Sequence, residues 1–165
     1  MSLFDRRHLL LTGLAAMSAG ACGFSPVYAP SAAGSKLEGR IFIPEPNTKD
    51  QYQVTRRLET RLGRADPAPM KLSFSVSSGS TGLGTTATGS TTRLHRVGTL
   101  NYTLKNNETG DEIDAGSVKN FTGYSATGNT AASLAAERAA VERLMTILAD
   151  QLIDRLHLID PALLP

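Results

Sequence analysis

The chain has 165 residues, 41% hydrophobic, 19% charged and 5% aromatic, with a formal charge of +2. That length holds one modest domain and excludes a large multidomain enzyme, and the near-neutral balance argues against a nucleic-acid binder held by a strong basic field. A single cysteine, Cys22, excludes an intramolecular disulfide or a Cys-rich metal centre, and three scattered histidines, His8, His95 and His157, leave little for a His-ligated metal.

The N-terminus carries Arg6 and Arg7, an apolar run from Leu9 to Ala19, then Gly20, Ala21 and Cys22. Charged start, short apolar middle and small-residue exit is the layout of a secretory signal peptide. The apolar run is roughly a dozen residues where a spanning helix needs about 20, which favours cleavage over an uncleaved anchor. We expect 1–21 to be a signal peptide, 22–38 a lipidated N-terminal tether rich in Pro, Ala, Ser and Gly, and 39–165 the folded domain. Ala19-Gly20-Ala21-Cys22 resembles a bacterial lipobox, with Ala where Leu is usual. Lipidation at Cys22 would anchor the protein. A buried methylene contributes about 0.8 kcal/mol and one chain binds only marginally, so stable attachment takes the several acyl chains of a lipoprotein. Gly23 stands where enteric lipoproteins kept at the inner membrane carry Asp, which is compatible with the outer membrane. Arg6-Arg7 also resembles a twin-arginine signal, with Asp5 where Ser or Thr is usual, so both export routes stay open.

Beyond the tether, Ile41-Phe42-Ile43 is a short apolar run stopped by Pro44 and Pro46, the pattern of a buried strand. Thr48 with Gln51 has capping-box spacing and opens a helix over about 50–63, with Val54, Leu58 and Leu62 on one face and Gly63 as its stop. Lys71 to Ser77 alternates, Leu72, Phe74 and Val76 against Ser73, Ser75 and Ser77: a half-buried strand. Residues 78–92 are almost entirely Gly, Ser and Thr, which predicts either a long mobile loop or a polar strand extension at an edge. Leu100, Tyr102 and Leu104 alternate again. A turn cluster follows over Asn106 to Asp111, and Ile113 to Tyr124 returns, with Gly116 as a candidate bulge.

Asn129-Thr130 caps a second helix reaching about Leu156. At about 100° per residue, Leu134, Val141, Leu144, Met145, Leu148, Leu152 and Leu156 form a stripe about 120° wide, opposite Arg143, Asp150 and Asp154. The expected fold is α+β: a small mixed four-stranded sheet with two helices packed on one face, in the order β-α-β-β-β-α, the other face being polar.

No catalytic constellation emerges. Gly123-Tyr124-Ser125-Ala126-Thr127 lies between a strand and a helix like a nucleophile elbow, but the second glycine is missing, and a base would have to be His95 or His157. Gly79 to Gly84 lacks the Gly-Lys-Ser/Thr of a phosphate loop. Asp111, Glu112 and Asp114 lack EF-hand spacing. We expect no cofactor and no metal. Arg93 and Arg96 on the strand leaving the polar segment, with Lys119 on its neighbour, form a candidate cationic sheet end for the phosphates of an anionic lipid, which Arg forks bind bidentately.

Cys22-Gly23-Phe24-Ser25-Pro26-Val27-Tyr28 resembles the Cys-Gly-Phe-x-Pro-Leu-Tyr start of alphaproteobacterial lipopolysaccharide-assembly lipoproteins, the LptE family. The element order and the pattern Tyr124-Ser125, Ala135, Arg138-Ala139, Leu148-Ala149, Ile153 and Leu156 are similar to that family as well. The resemblance implies a non-catalytic outer-membrane lipoprotein on the periplasmic side, lipid-anchored, with the β-barrel protein LptD as partner. It would plug and help assemble that barrel and assist lipopolysaccharide delivery, with lipopolysaccharide itself a candidate ligand. A lipoprotein subunit of another envelope transport system, or a pilotin-like chaperone, is the alternative.

Overall fold

The computed structural model describes residues 26–30, 32–85, 91–126 and 130–165. A short helix α1 (Ala33–Leu37) leads into a two-residue strand β1 (Ile41–Phe42). Helix α2 (Lys49–Leu62) then crosses to β2 (Met70–Thr85), followed by β3 (Thr91–Asn106), β4 (Glu112–Ser125), the long helix α3 (Thr130–His157) and a final 3-10 turn, Pro161–Leu163. The sheet order is β1-β2-β3-β4, with β1 parallel to β2 and the remaining pairs antiparallel. The expected β-α-β-β-β-α order and mixed four-stranded sheet are present, with α1 added.

Helix α1 falls in the stretch expected to be tether. Ala33 and Leu37, one turn apart, both enter the core, and Ser35 Oγ donates to the carbonyls of Ala29 at 2.8 Å and Ala32 at 2.9 Å. Lys36 Nζ reaches across to the carbonyls of Pro161 at 2.8 Å and Leu164 at 3.2 Å. The packed part of the chain therefore begins before the boundary expected at residue 39. Cys22 and residues 23–25 lie outside the described residues.

Helix α2 starts as its sequence dictates. Thr48 Oγ1 accepts from Gln51 N at 3.2 Å, while Gln51 Oε1 turns back to accept from Asn47 N at 2.9 Å, one residue before the usual capping-box target. Gly63, at φ +75°, ends it and donates to the Glu59 carbonyl at 2.9 Å. The Gly/Ser/Thr segment resolves in favour of strand. Residues 78–85 continue β2, pairing Ser78 with Gly98, Gly79 with Val97 and Ser80 with Arg96. Backbone pairing needs no apolar side chains, and β3 supplies the partners. Beyond Lys71, β1 no longer flanks β2, so this extension is an edge. Residues 86–90, and Asn129 of the expected helix cap, lie outside the described residues.

The expected bulge at Gly116 is displaced. Gly116 pairs regularly with Tyr102, and the register shift falls between Leu104–Asp114 and Lys105–Glu112, so Ile113 is the extra residue. Gly116 serves a different need: a Cβ there would stand 3.1 Å from the Tyr102 hydroxyl, so its absence makes room for that ring. The hairpin end at 106–111 is held by Asn106, whose Oδ1 accepts from Glu108 N at 2.9 Å, and Gly110 turns at φ +79°.

Helix α3 lies across β3 and β4 with Leu144, Met145, Leu148, Leu152 and Leu156 fully buried, and α2 packs mainly against α3. Together with Leu72, Leu100, Leu104, Val54 and Leu58 they form one core. The close approach of α3 is permitted by Gly98, where a Cβ would stand 2.9 Å from Leu148 Cδ1 and 3.0 Å from Leu144 Cδ2. Thr122 Oγ1 donates to the Ala140 carbonyl at 2.9 Å, tying β4 to the same helix. Leu134 departs from the expected stripe: at 45% exposure it lies on α3 before the helix reaches the core.

Candidate functional site

Strand alternation sorts the sheet into two faces. Leu72, Leu100 and Leu104 point at the helices, so their register partners do too, and with them Ser78, Ser80, Arg96 and Tyr124. The open face carries Lys71, Ser73, Ser75, Ser77, Thr99, Asn101, Thr103 and Ser117, small and polar as expected. At its distal half it also carries Arg93, His95, Val97, Lys119 and Phe121.

This division separates the three cations expected at one sheet end. Arg93 and Lys119 are exposed on the open face, but Arg93 pairs with Ser125 and Lys119 with Thr99, six residues apart along β4, or about 20 Å. Arg96 faces the other way, half-buried under the helices. Its Nη1 donates to Glu137 Oε1 at 3.3 Å and to Ser80 Oγ at 3.1 Å, and its Nη2 to Ser78 Oγ at 3.0 Å. Ser78 Oγ in turn donates to Asp50 Oδ2 at 2.8 Å. One guanidinium thus links β3, β2, α2 and α3 where the helices leave the sheet's polar half. The alternation of β3 places Arg96 in phase with Leu100, a signal readable without coordinates; its carboxylate partner, 41 residues on, is not.

Between Arg93 and Lys119 the open face is apolar. The His95 and Phe121 rings stack with centroids 4.5 Å apart and planes at 25°, and Val97 pairs with Phe121 across the ladder. Phe121 is 55% and Val97 42% exposed. Sequence reasoning missed this patch, although Val97 and Phe121 are the apolar residues out of phase with Leu100 and Val118. The patch also occupies His95, one of the two histidines considered as a base for Ser125; the other, His157, ends α3 at the opposite end of that helix.

Tyr102 and His157 are both shifted on the helix side. Burial, reinforced by donation to Asp114 Oδ2 at 2.8 Å, pushes the Tyr102 hydroxyl up to about 12, with Arg155 opposing. Burial lowers His157 below its usual range, with Asp154 raising it and Arg61 lowering it further. Tyr102 is therefore a neutral donor that fixes a carboxylate. No group of His, Cys, Asp and Glu placed to hold a metal occurs among the described residues.

A family model described as lipopolysaccharide-assembly, LptE, matches residues 39–156, from just before β1 to the last turn of α3. The chain belongs to the LptE family. Its fold is similar to that of a lipoprotein from Caulobacter crescentus at TM-score 0.62 and 20% identity, covering 76% of this chain and 92% of that one. The rare lipoprotein B of Shewanella oneidensis superposes at TM-score 0.54 and 14% identity, covering 70% and 90%. Lipoprotein B of Nitrosomonas europaea does so at 0.58 and 11%, covering 73% and 83%. At these identities the structural likeness establishes the LptE fold alone. A comparison with curated proteins finds no match. Membership of the LptE family places the chain in lipopolysaccharide assembly in the cell envelope. Among the described residues no helix is long and apolar enough to cross a membrane.

Proposed function

We propose that the protein is an outer-membrane lipoprotein, anchored through acylated Cys22 on the periplasmic side, whose domain plugs an LptD-type β-barrel, helps it assemble and assists lipopolysaccharide delivery to the outer leaflet. The observation that carries the reading is the two-sided sheet. The described helices pack on one face, and the proximal half of the other is lined mostly by Ser, Thr and Asn. A flat face of small polar side chains suits the lumen of a transmembrane barrel, which is polar. No catalytic role is included, since the domain acts by binding.

The lipopolysaccharide contact belongs to the open face. Arg93 and Lys119 flank the His95–Phe121 stack, so cations that suit phosphates border an apolar surface that suits acyl chains. Arg96 supports this surface from behind by fixing the distal hairpin to α2 and α3.

Depletion of the protein tests the partner. The expected result is a misassembled LptD-type barrel and loss of surface lipopolysaccharide, with the barrel recovered as the stable partner on purification from the envelope. Normal barrel assembly on depletion, or co-purification with an ATPase complex instead, overturns the reading in favour of another transport system.

A further inference from the structure

The end of the domain opposite the distal hairpin gathers a second exposed apolar surface, built where the first described residues meet the last. Tyr28 stands edge-on to His157, ring centroids 5.5 Å apart. An open groove of about 550 Å³ runs between Pro26, Val27, Ala29, Ala32 and Ala33 on one side and residues 157–161 on the other. On its borders Leu158 is 80%, Tyr28 56% and Val27 44% exposed, and Leu163 of the terminal turn is 61% exposed. Two polar groups at this end are engaged by backbone: Lys36 Nζ donates to the carbonyls of Pro161 and Leu164, and Asp160 Oδ1 accepts from the amide of Ala162 at 2.9 Å. Beside the exposed Asp154 and Arg155, which border Leu158, the Tyr and aliphatic side chains left outward are of the kind found at a membrane interface.

We propose that this surface is a membrane seat: Val27, Tyr28, Leu158 and Leu163 rest in the interfacial layer of the phospholipid leaflet that holds the Cys22 acyl chains. This rests on lipidation of Cys22. Chain length then selects the occupant. Only residues 23–25 separate Cys22 from Pro26, and four residue steps span at most about 14 Å when fully extended. Packing of the chain from Pro26 onward, through the Gly34 amide donating to the Val27 carbonyl at 3.1 Å, leaves no further slack. An acylated Cys22 therefore holds this end of the domain, and no other, within reach of the lipid. Apolar side chains at a lipid boundary about 5–10 Å deep add to the binding of the acyl chains. The distal hairpin then points away from the leaflet.

The chain contains no tryptophan, so a single introduced indole reports depth. Full-length protein carrying Leu158→Trp, processed in a bacterial host and extracted with its lipid, would be reconstituted into phosphatidylethanolamine–phosphatidylglycerol vesicles with or without brominated acyl chains. Val97→Trp on the distal open face is the comparison, and circular dichroism controls the fold. We expect brominated lipid to quench the indole at position 158 about twofold, by contact at interfacial depth, and the one at position 97 not at all. Protein that floats with the vesicles yet shows no quenching at position 158 overturns the seat while leaving lipidation intact. Protein that fails to float and lacks an acyl mass on Cys22 overturns the anchorage and the seat together. Quenching lost when an LptD-type barrel is co-reconstituted assigns the surface to the barrel mouth and also overturns the proposal.

Discussion

Arg57 and Asp150 join the two long helices through a two-pronged contact, Nε to Oδ1 at 2.8 Å and Nη2 to Oδ2 at 3.0 Å. Asp150 lies opposite the apolar stripe of α3, where a solvated carboxylate is the default expectation, yet α2 packs on that flank and supplies its partner. The carboxylate raises the Arg57 pKa by hydrogen bond and by charge. Both side chains stay more than a third exposed, so water screens the pair. Asp150→Ala is expected to cost about 0.5–1 kcal/mol, at the upper end for exposed pairs because the contact is bidentate. A double-mutant cycle with Arg57→Ala in urea melts measures it, and the coupling should fall as salt is raised; a coupling insensitive to salt would contradict the assignment.

Gly98 and Gly79 sit on adjacent rungs of the same hairpin but on opposite faces of the sheet, and should respond oppositely to a methyl group. At Gly98 the new Cβ meets two buried leucine methyls at 2.9 and 3.0 Å, whereas at Gly79 nothing lies within 4 Å. Gly98→Ala is expected to destabilise by about 1–3 kcal/mol through overpacking. Gly79→Ala should be neutral or stabilising by up to about 1 kcal/mol, because alanine restricts the unfolded chain more than glycine does. Thermal melts of the two variants would rank them.

Leu148 and Leu134 carry the same side chain on the same helix in different surroundings. Leu148 is fully buried and Leu134 is 45% exposed. Leu148→Ala should cost about 2–5 kcal/mol in lost burial and cavity. Leu134→Ala, like Arg143→Ala on the solvent side, should cost under about 1 kcal/mol. Equal losses in denaturant melts would mean that α3 is rotated relative to the sheet.

His157 gives the fold an acid sensitivity of defined sign. Burial lowers its folded-state pKa below the unfolded value of about 6.5, Asp154 and Arg61 acting in opposite senses. The unfolded chain therefore binds this proton first. The contribution of His157 to stability is unchanged at neutral pH, declines as pH falls below about 6.5, and levels off below the folded pKa. His157→Gln should flatten that part of the stability–pH curve. A slope that persists in the variant would assign it to other groups.

Arg93 and Lys119 should carry the lipopolysaccharide contact and Arg96 should not. Arg93→Glu with Lys119→Glu is expected to weaken binding of lipopolysaccharide strongly, with the loss shrinking at high salt because exposed charges are screened over about 8 Å at physiological ionic strength. The fold should stand, since neither residue is buried. Arg96→Glu should lower stability instead, by placing a carboxylate beside Glu137. Binding titrations at two salt concentrations, with circular dichroism, separate the two effects. Unchanged affinity in the folded double variant would remove both cations from the site.

The order of the main elements, most strand and helix faces and the cap of α2 were legible in the sequence because each is set by local chemistry. Alternation of Leu72, Phe74 and Val76 marks a half-buried strand, Thr48 and Gln51 satisfy the free amides of α2, and the leucine stripe of α3 repeats at the helical period. The Ser/Thr/Gly segment resisted reading because its strand character comes from the partner's backbone, and no side-chain pattern records that. Other features depended on which surfaces meet. Helix α1 exists because Leu37 and Lys36 find the core and the terminal turn some 125 residues away in sequence. Arg96 lost its place among surface cations because its strand parity points it at Glu137. His95, Val97 and Phe121 became a patch only through the register of β3 with β4. Sequence by itself determined the local elements and the family they spell out; tertiary structure decided which charges are spent inside the fold and which face outward, because that depends on partners no local pattern can name.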